Sequence, residues 1–238
     1  MLLKILKKIL LILSSPLRYI IRYELNRHIK SSKDLGIALQ KRATESTADY
    51  VEKNMKDVDS ISSKLDLITM ALMEVDLQDK RLICEFGVYS GFTINHIASL
   101  TTKTVYGFDS FEGLPERWRD NFHKGTFKVN SLPKVRPNVK LIKGLFNETL
   151  QKFIKDHEEP IGFLHIDCDL YSSTKDVLQI LSDRILSGCI IVFDEYFNYP
   201  GWQEGEFKAF HEFIERTGMA YKYIGYNRHE QVAVKIIG

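Results

Sequence analysis

Three carboxylates stand where two apolar runs end. FLHIDCDLYSST places Asp167 after the run from Phe163 to Ile166, and IIVFDEYFNY places Asp194 and Glu195 after the run from Ile190 to Phe193. If both runs are strands of an open parallel sheet, all three acids converge at the carboxyl edge, where such sheets bind their ligands. Carboxylates gathered in a partly buried site repel one another, and a hard cation lets all three remain ionised. A divalent metal on Asp167, Asp194 and Glu195 is therefore expected. Asp169 reads as the N-cap of a helix opening through Ser172-Ser173-Thr174.

A second constellation lies upstream. CEFGVYSGFT sets Gly87 and Gly91 at a strand-to-helix turn, with Glu85 near the strand's end. Glycines there let the backbone approach a ligand that a side chain would keep away. Asp109 follows 22 residues after Gly87, at the end of the next apolar run, where a carboxylate can accept hydrogen bonds from ribose hydroxyls. Ser110 beside it is a further candidate contact. The plain alternative is a tight turn with Asp109 and Ser110 as turn caps. The spacing is not G-x-G-x-x-G, which argues against a dinucleotide.

These residues need a scaffold that brings strand ends together. RLICEFGV, TVYGFD, VKLIKG, IGFLHID and GCIIVFDEY are strand-like runs, with helical patterns at SGFTINHIASL, NETLQKFIKDH and STKDVLQILSDRIL between most of them. That alternation predicts an α/β fold, a doubly wound parallel sheet with helices on both faces. YKYIGY and QVAVKII, separated by four residues, predict a closing antiparallel strand pair. Residues 59–73 show helical spacing at Ile61, Leu65, Ile68 and Leu72. Residues 31–72 as a whole read as a helical connector to a main domain at 73–238.

The chain is 44% apolar and 27% charged, with a net charge of +2, a composition suited to a globular core and not to disorder. Residues 1–30 hold seven Lys/Arg against Glu24 alone, a net +6 that leaves the rest of the chain at −4. A body of that sign excludes general nucleic-acid binding. In LLKILKKILLIL, Lys4, Lys7 and Lys8 interrupt an apolar stretch already too short to span a bilayer, and helical spacing puts the three lysines on one face. Two readings stay open for this basic arm: an interfacial helix on an anionic membrane surface, or a segment docking on its own or a neighbouring subunit. A homo-oligomer is expected. Cys84, Cys168 and Cys189 lie in or beside apolar runs without zinc spacing and predict free, buried thiols in a cytoplasmic protein, at most peripheral to the membrane's inner face.

EFGVYSG, YGFDSFEGLPE, GLFNETL, FLHIDCDLYSSTKDVL and FDEYFNYPGWQEGEFKAF follow one another as in the macrocin and mycinamicin sugar O-methyltransferases, a family that includes the novobiocin deoxysugar enzyme. The chain resembles that family over about residues 73–238; the arm is outside the resemblance. The resemblance implies a class I methyltransferase fold of Rossmann-like type, S-adenosylmethionine as donor, Mg²⁺, and a sugar hydroxyl as acceptor. It implies Asp167, Asp194 and Glu195 at the metal and Asp167 as general base, while Glu85, Gly87, Gly91, Asp109 and Ser110 are the cofactor contacts expected from the residues themselves. Where the family often has Asp-Asp, this chain has Asp194-Glu195.

That chemistry suits the residues. A sulfonium methyl needs alignment with the attacking oxygen and removal of a proton, and a cation beside a carboxylate favours both. Trp118, Phe122, His123 and Phe127 in residues 110–138, and Tyr196, Tyr199 and Trp202 after the acidic pair, are candidate lid residues. Two other classes compete. Asp167-Cys168-Asp169 imitates the Asp-x-Asp of metal-dependent nucleotide-sugar glycosyltransferases, and the arm would suit a membrane-docked adaptor without catalysis.

Overall fold

The computed structural model describes residues 19–23, 33–76 and 80–238. Most of the basic arm, including Lys4, Lys7 and Lys8, lies outside the described residues. Among the described residues no helix is long and apolar enough to cross a membrane.

Eight strands form one sheet: β1 (Ser60–Ile61), β2 (Leu82–Phe86), β3 (Val105–Asp109), β4 (Val139–Lys143), β5 (Ile161–Ile166), β6 (Ile185–Phe193), β7 (Tyr221–Asn227) and β8 (Val232–Ile236). Their order is β1-β7-β8-β6-β5-β2-β3-β4. The pairs β2–β3, β3–β4, β2–β5 and β5–β6 are parallel. The last two strands close the sheet antiparallel, β8 against both β6 and β7, as YKYIGY and QVAVKII predict. From β2 the chain winds outward through β3 and β4, then returns to place β5 and β6 on the other side. The reversal between β2 and β5 leaves a crevice at their carboxyl ends.

Among the described residues six helices cover the faces: α1 (Leu35–Asn54), α2 (Lys64–Met73), α3 (Phe92–Ser99), α4 (Phe146–Asp156), α5 (Tyr171–Ile180) and α6 (Glu206–Thr217). Strand alternation sends Cys84 and Phe86 into a core shared with α4, α5 and α6, and Ile83 and Phe163 into a second core with α2 and α3. All residues of β2 and β5 are buried, as expected of central parallel strands covered on both sides. Each fully buried Leu, Ile or Phe contributes about 1.5–3 kcal/mol. The three cysteines are free and buried.

Two boundaries differ from the sequence reading. Ser60 and Ile61 form an edge strand pairing with β7, so the helix expected over 59–73 begins only at Lys64, with Ser63 as its N-cap. Ile185 and Leu186, expected as helix, open β6 after a short 3₁₀ turn at Ser182–Arg184; a β-branched residue before Gly188 suits strand better than helix.

Helix α1 falls within the 31–72 stretch, α2 begins in it and ends one residue beyond, and both pack on the body. Leu67, Ile68, Ala71 and Leu72 are core residues. Helix α1, N-capped by Asp34, buries Ala43 and Thr47 and clasps the loop after β6. Gln40 Nε2 donates to the Asn198 carbonyl at 2.7 Å, Thr44 Oγ1 to Asn198 Oδ1 at 2.9 Å, and Asn198 N to Thr47 Oγ1 at 2.9 Å. The Trp202 indole donates to Ser46 Oγ at 3.1 Å.

Candidate active site

A cavity of about 660 Å³ opens at the carboxyl ends of β2, β3, β5 and β6. That size suits a drug-sized ligand or cofactor. One wall is the turn after β2. Gly87 has φ +94°, and a Cβ there would lie 1.8 Å from the Asp167 carbonyl oxygen, so only glycine lets β2 and β5 end in contact. Asp109 fixes the same turn: Oδ2 accepts from Val88 N at 2.9 Å and Tyr89 N at 2.8 Å, and Oδ1 from Phe111 N at 2.6 Å. Gly87, Asp109 and Ser110 line the cavity.

Gly91 and Glu85 do not. Gly91 is the left-handed residue before α3, packed near Pro133. Glu85 is fully buried beneath the turn, accepting from Thr93 Oγ1 at 3.0 Å and lying 3.0 Å from His165 Nδ1. Strand alternation turns its side chain under α3 and away from the crevice.

The opposite wall is acidic. Asp167, Asp169, Asp194 and Glu195 all line the cavity, and all but Asp167 are at least nine-tenths buried. The metal trio expected from the sequence does not gather as one group. Ligand atoms lie within 4.8 Å of one another in His165–Asp167–Asp194 and in Asp167–Asp169–Glu195, so Asp167 is common to both while Asp194 and Glu195 fall in different groups. Asp169 is not the N-cap of α5: Leu170 takes that position without a side-chain cap, and Asp169, at φ +61°, joins the acids. The turn directs its carboxylate into the crevice instead of back along the helix.

Three further groups hold this wall. The Lys64 ammonium, from the first turn of α2, donates to Asp194 Oδ2 at 2.7 Å and Asp167 Oδ2 at 3.3 Å. His165, fully buried, lies between Glu85 and Asp194, with Nε2 3.7 Å from Asp194 Oδ1. Glu206, at the start of α6, accepts from Cys168 N and Glu195 N, each at 3.2 Å, and so ties the loops after β5 and β6 together.

Burial and the Asp194 charge push Asp167 up to about 7, and burial and the Asp167 charge push Asp169 up to about 8. Burial would also raise Asp194, but His165 and Lys64 pull it down to about 2. Burial would lower His165, yet Asp194 and Glu85 raise it to about 10. Burial, with Asp194 for Glu195 and Asp167 for Glu206, drives both glutamates far above the ordinary carboxylate range. A hard cation fits this donor set: the oxygens of Asp167, Asp169 and Glu195 face one another, and buried Glu195 Oε2 has no hydrogen-bond partner.

Of the expected lid, Trp118, Phe122 and Phe127 line the cavity and His123 does not. His123 is exposed. Tyr196, Tyr199 and Trp202 are buried and form no lid. The loop after β6 tucks beneath α1, where Tyr50 meets Trp202 edge-on and its hydroxyl pairs with that of Tyr223, which also bonds Tyr196.

The segment 84–196 matches a family model described as a methyltransferase domain. Its ends coincide with Cys84 in β2 and with the residue following Glu195, so the match spans both cavity walls. A curated relative from Streptomyces olivaceus, 8-demethyl-8-(2,3-dimethoxy-alpha-L-rhamnosyl)-tetracenomycin-C 4'-O-methyltransferase, is 30% identical over 116 residues, which is 40% of this chain and 43% of the relative. The aligned part thus spans less than half of that relative's length. Among solved structures, the calicheamicin methyltransferase CalS11 superposes with a TM-score of 0.59 at 24% identity, over 71% of this chain and 78% of its own. The O-methyltransferase NovP does so with 0.56 at 20% identity, over 74% and 80%. These superpositions establish the class I methyltransferase fold.

Proposed function

We propose that this chain is an S-adenosylmethionine-dependent O-methyltransferase acting on a sugar hydroxyl, with a magnesium ion assisting. The observation that carries the reading is the cavity itself: a backbone turn fixed by Asp109 on one wall and, across it, a carboxylate at the end of β5 able to take a proton. The fold and the match to the family model support the donor. The relative that methylates a rhamnosyl group supports the acceptor class.

S-adenosylmethionine would supply an already activated methyl group. The chain's residues then have two tasks, alignment and proton removal. The Gly87 turn admits the cofactor close to the backbone. Asp109 uses three of its acceptor positions on the turn and keeps capacity for a ribose hydroxyl. Trp118, Phe122 and Phe127 cover the cavity with apolar area that excludes water and can stack on a sugar ring. Asp167, raised toward neutrality and shared by both acidic groups, is the base for the acceptor hydroxyl. A divalent ion would be held by Asp167 with Asp169 and Glu195, and would supply acidity to a coordinated hydroxyl.

Calorimetry with S-adenosylmethionine and, separately, nucleotide sugars tests the assignment, followed by turnover on sugar acceptors with Mg²⁺ or with EDTA. Binding of the sulfonium donor and loss of turnover in EDTA are expected. Selective binding of a nucleotide sugar would favour the glycosyltransferase reading, and equal turnover in EDTA would remove the metal.

A further inference from the structure

The acidic wall already contains a cation, and its position has no explanation in the stability of its own helix. Lys64 is the first residue of α2, where the positive end of the helix dipole disfavours a lysine. Its ammonium instead reaches across to bridge Asp194 and Asp167, residues 130 and 103 positions away in the chain. The Asp194 side chain is 7% exposed and the Lys64 side chain 29%, so this bridge is partly shielded from solvent.

One ammonium does not neutralise the wall. His165 and Lys64 together serve Glu85, Asp194 and one edge of Asp167. Asp169 and Glu195 form a second group with Asp167, and Glu195 Oε2 has no partner. The structure therefore separates two cationic positions that share Asp167, one filled by lysine and one suited to an ion.

We propose that Lys64 is a resident competitor of the divalent ion: it holds Asp194, shares Asp167 with the ion, and keeps ion binding weak until an acceptor adds its own oxygens. This rests on the metal-assisted reading above. A positive charge a few ångströms from a cation site opposes binding through Coulomb repulsion and by occupying a ligand oxygen. Its effect is read as ion affinity, which can be measured without turnover.

The test is Mn²⁺ binding to the full chain, without donor or acceptor, followed by electron paramagnetic resonance of the free ion. Lys64→Met should bind Mn²⁺ at least about 10-fold more tightly than the parent chain, because a repelling unit charge is removed from a low-dielectric site. Lys64→Gln, which keeps a polar end, serves if the Met variant does not fold, and circular dichroism with S-adenosylmethionine affinity confirms an intact fold. Equal or weaker Mn²⁺ binding in the folded variants, with the parent chain binding the ion, would overturn the role of Lys64 and leave the metal in place. No Mn²⁺ binding by any of the three chains would overturn both the role of Lys64 and the metal, while the donor assignment would still stand on S-adenosylmethionine binding.

Discussion

The two walls of the cavity are built on opposite principles. At the β2–β3 wall, each Asp109 oxygen accepts backbone N–H groups at 2.6–2.9 Å, and a glycine permits contact with the neighbouring strand. At the β5–β6 wall, buried carboxylates crowd together, Glu195 Oε2 and Asp194 Oδ1 lack hydrogen-bond partners, and a lysine and a histidine offset part of the charge. A satisfied wall is rigid and suits binding. A wall with unresolved charge responds to ions and protons, which is what a reacting centre requires.

If that division is right, substitutions on the two walls should separate rate from affinity. The largest effect is expected for Asp167→Asn, which keeps shape and removes the basic oxygen. Methyl transfer should fall at least about 10²-fold, with cofactor affinity almost unchanged in calorimetry. Near-normal turnover would break the assignment of chemistry to this wall. Asp109→Ala should do the reverse, weakening cofactor binding by about 1.5–3 kcal/mol. A folded variant with unchanged affinity would show that the β2–β3 turn needs no such brace.

The acidic wall should also show itself in stability. Asp167, Asp169 and His165 all have folded pKa values raised above their ordinary ones, to about 7, 8 and 10. Each binds a proton more tightly in the folded chain, so its contribution is full below the unfolded value and is lost as pH rises through the folded one. In EDTA the thermal midpoint should fall by at least about 3 °C between pH 6 and pH 9. Asp194, depressed to about 2, acts oppositely but only below pH 4. Mg²⁺ should recover much of the loss at pH 9, and a midpoint indifferent to both pH and Mg²⁺ would contradict the crowding described here. The smallest effect is expected away from both walls. Ser46→Ala removes the acceptor of the Trp202 indole and should cost about 0.5–1.5 kcal/mol in denaturant unfolding, with cofactor affinity untouched.

The fold was legible because its signals are local. Five apolar runs, two glycines at a turn and an antiparallel tail specify most of the sheet, and Asp109 and Asp167 lie where strand ends place them. Lys64 was not legible, because a helix-opening lysine far upstream carries no mark of the acids it will meet; only the packing of α2 against the sheet brings it there. Glu206 was hidden differently: an acid in the first turn of a helix is ordinary, and its role depends on two loops converging. His165 stood as one polar residue in an apolar run, a signal that pointed inward to Glu85 and not into the cavity. Tyr196, Tyr199 and Trp202 were misread because an aromatic residue after a strand end serves equally as lid or core, and the clasp of α1 decides between them.

That clasp also determines how the protein can be shortened. Removing residues 1–30 leaves Asp34, α1 and the hydrogen bonds of Gln40, Thr44 and Thr47 with Asn198 in place. A fragment begun at residue 73, where the family-like block starts, would lack Lys64, the edge strand β1 and all three holds on Asn198, the loop residue four positions after Asp194. The smallest fragment that keeps the acidic wall in its native spacing therefore begins at or before residue 34, well upstream of the segment that matches the family model.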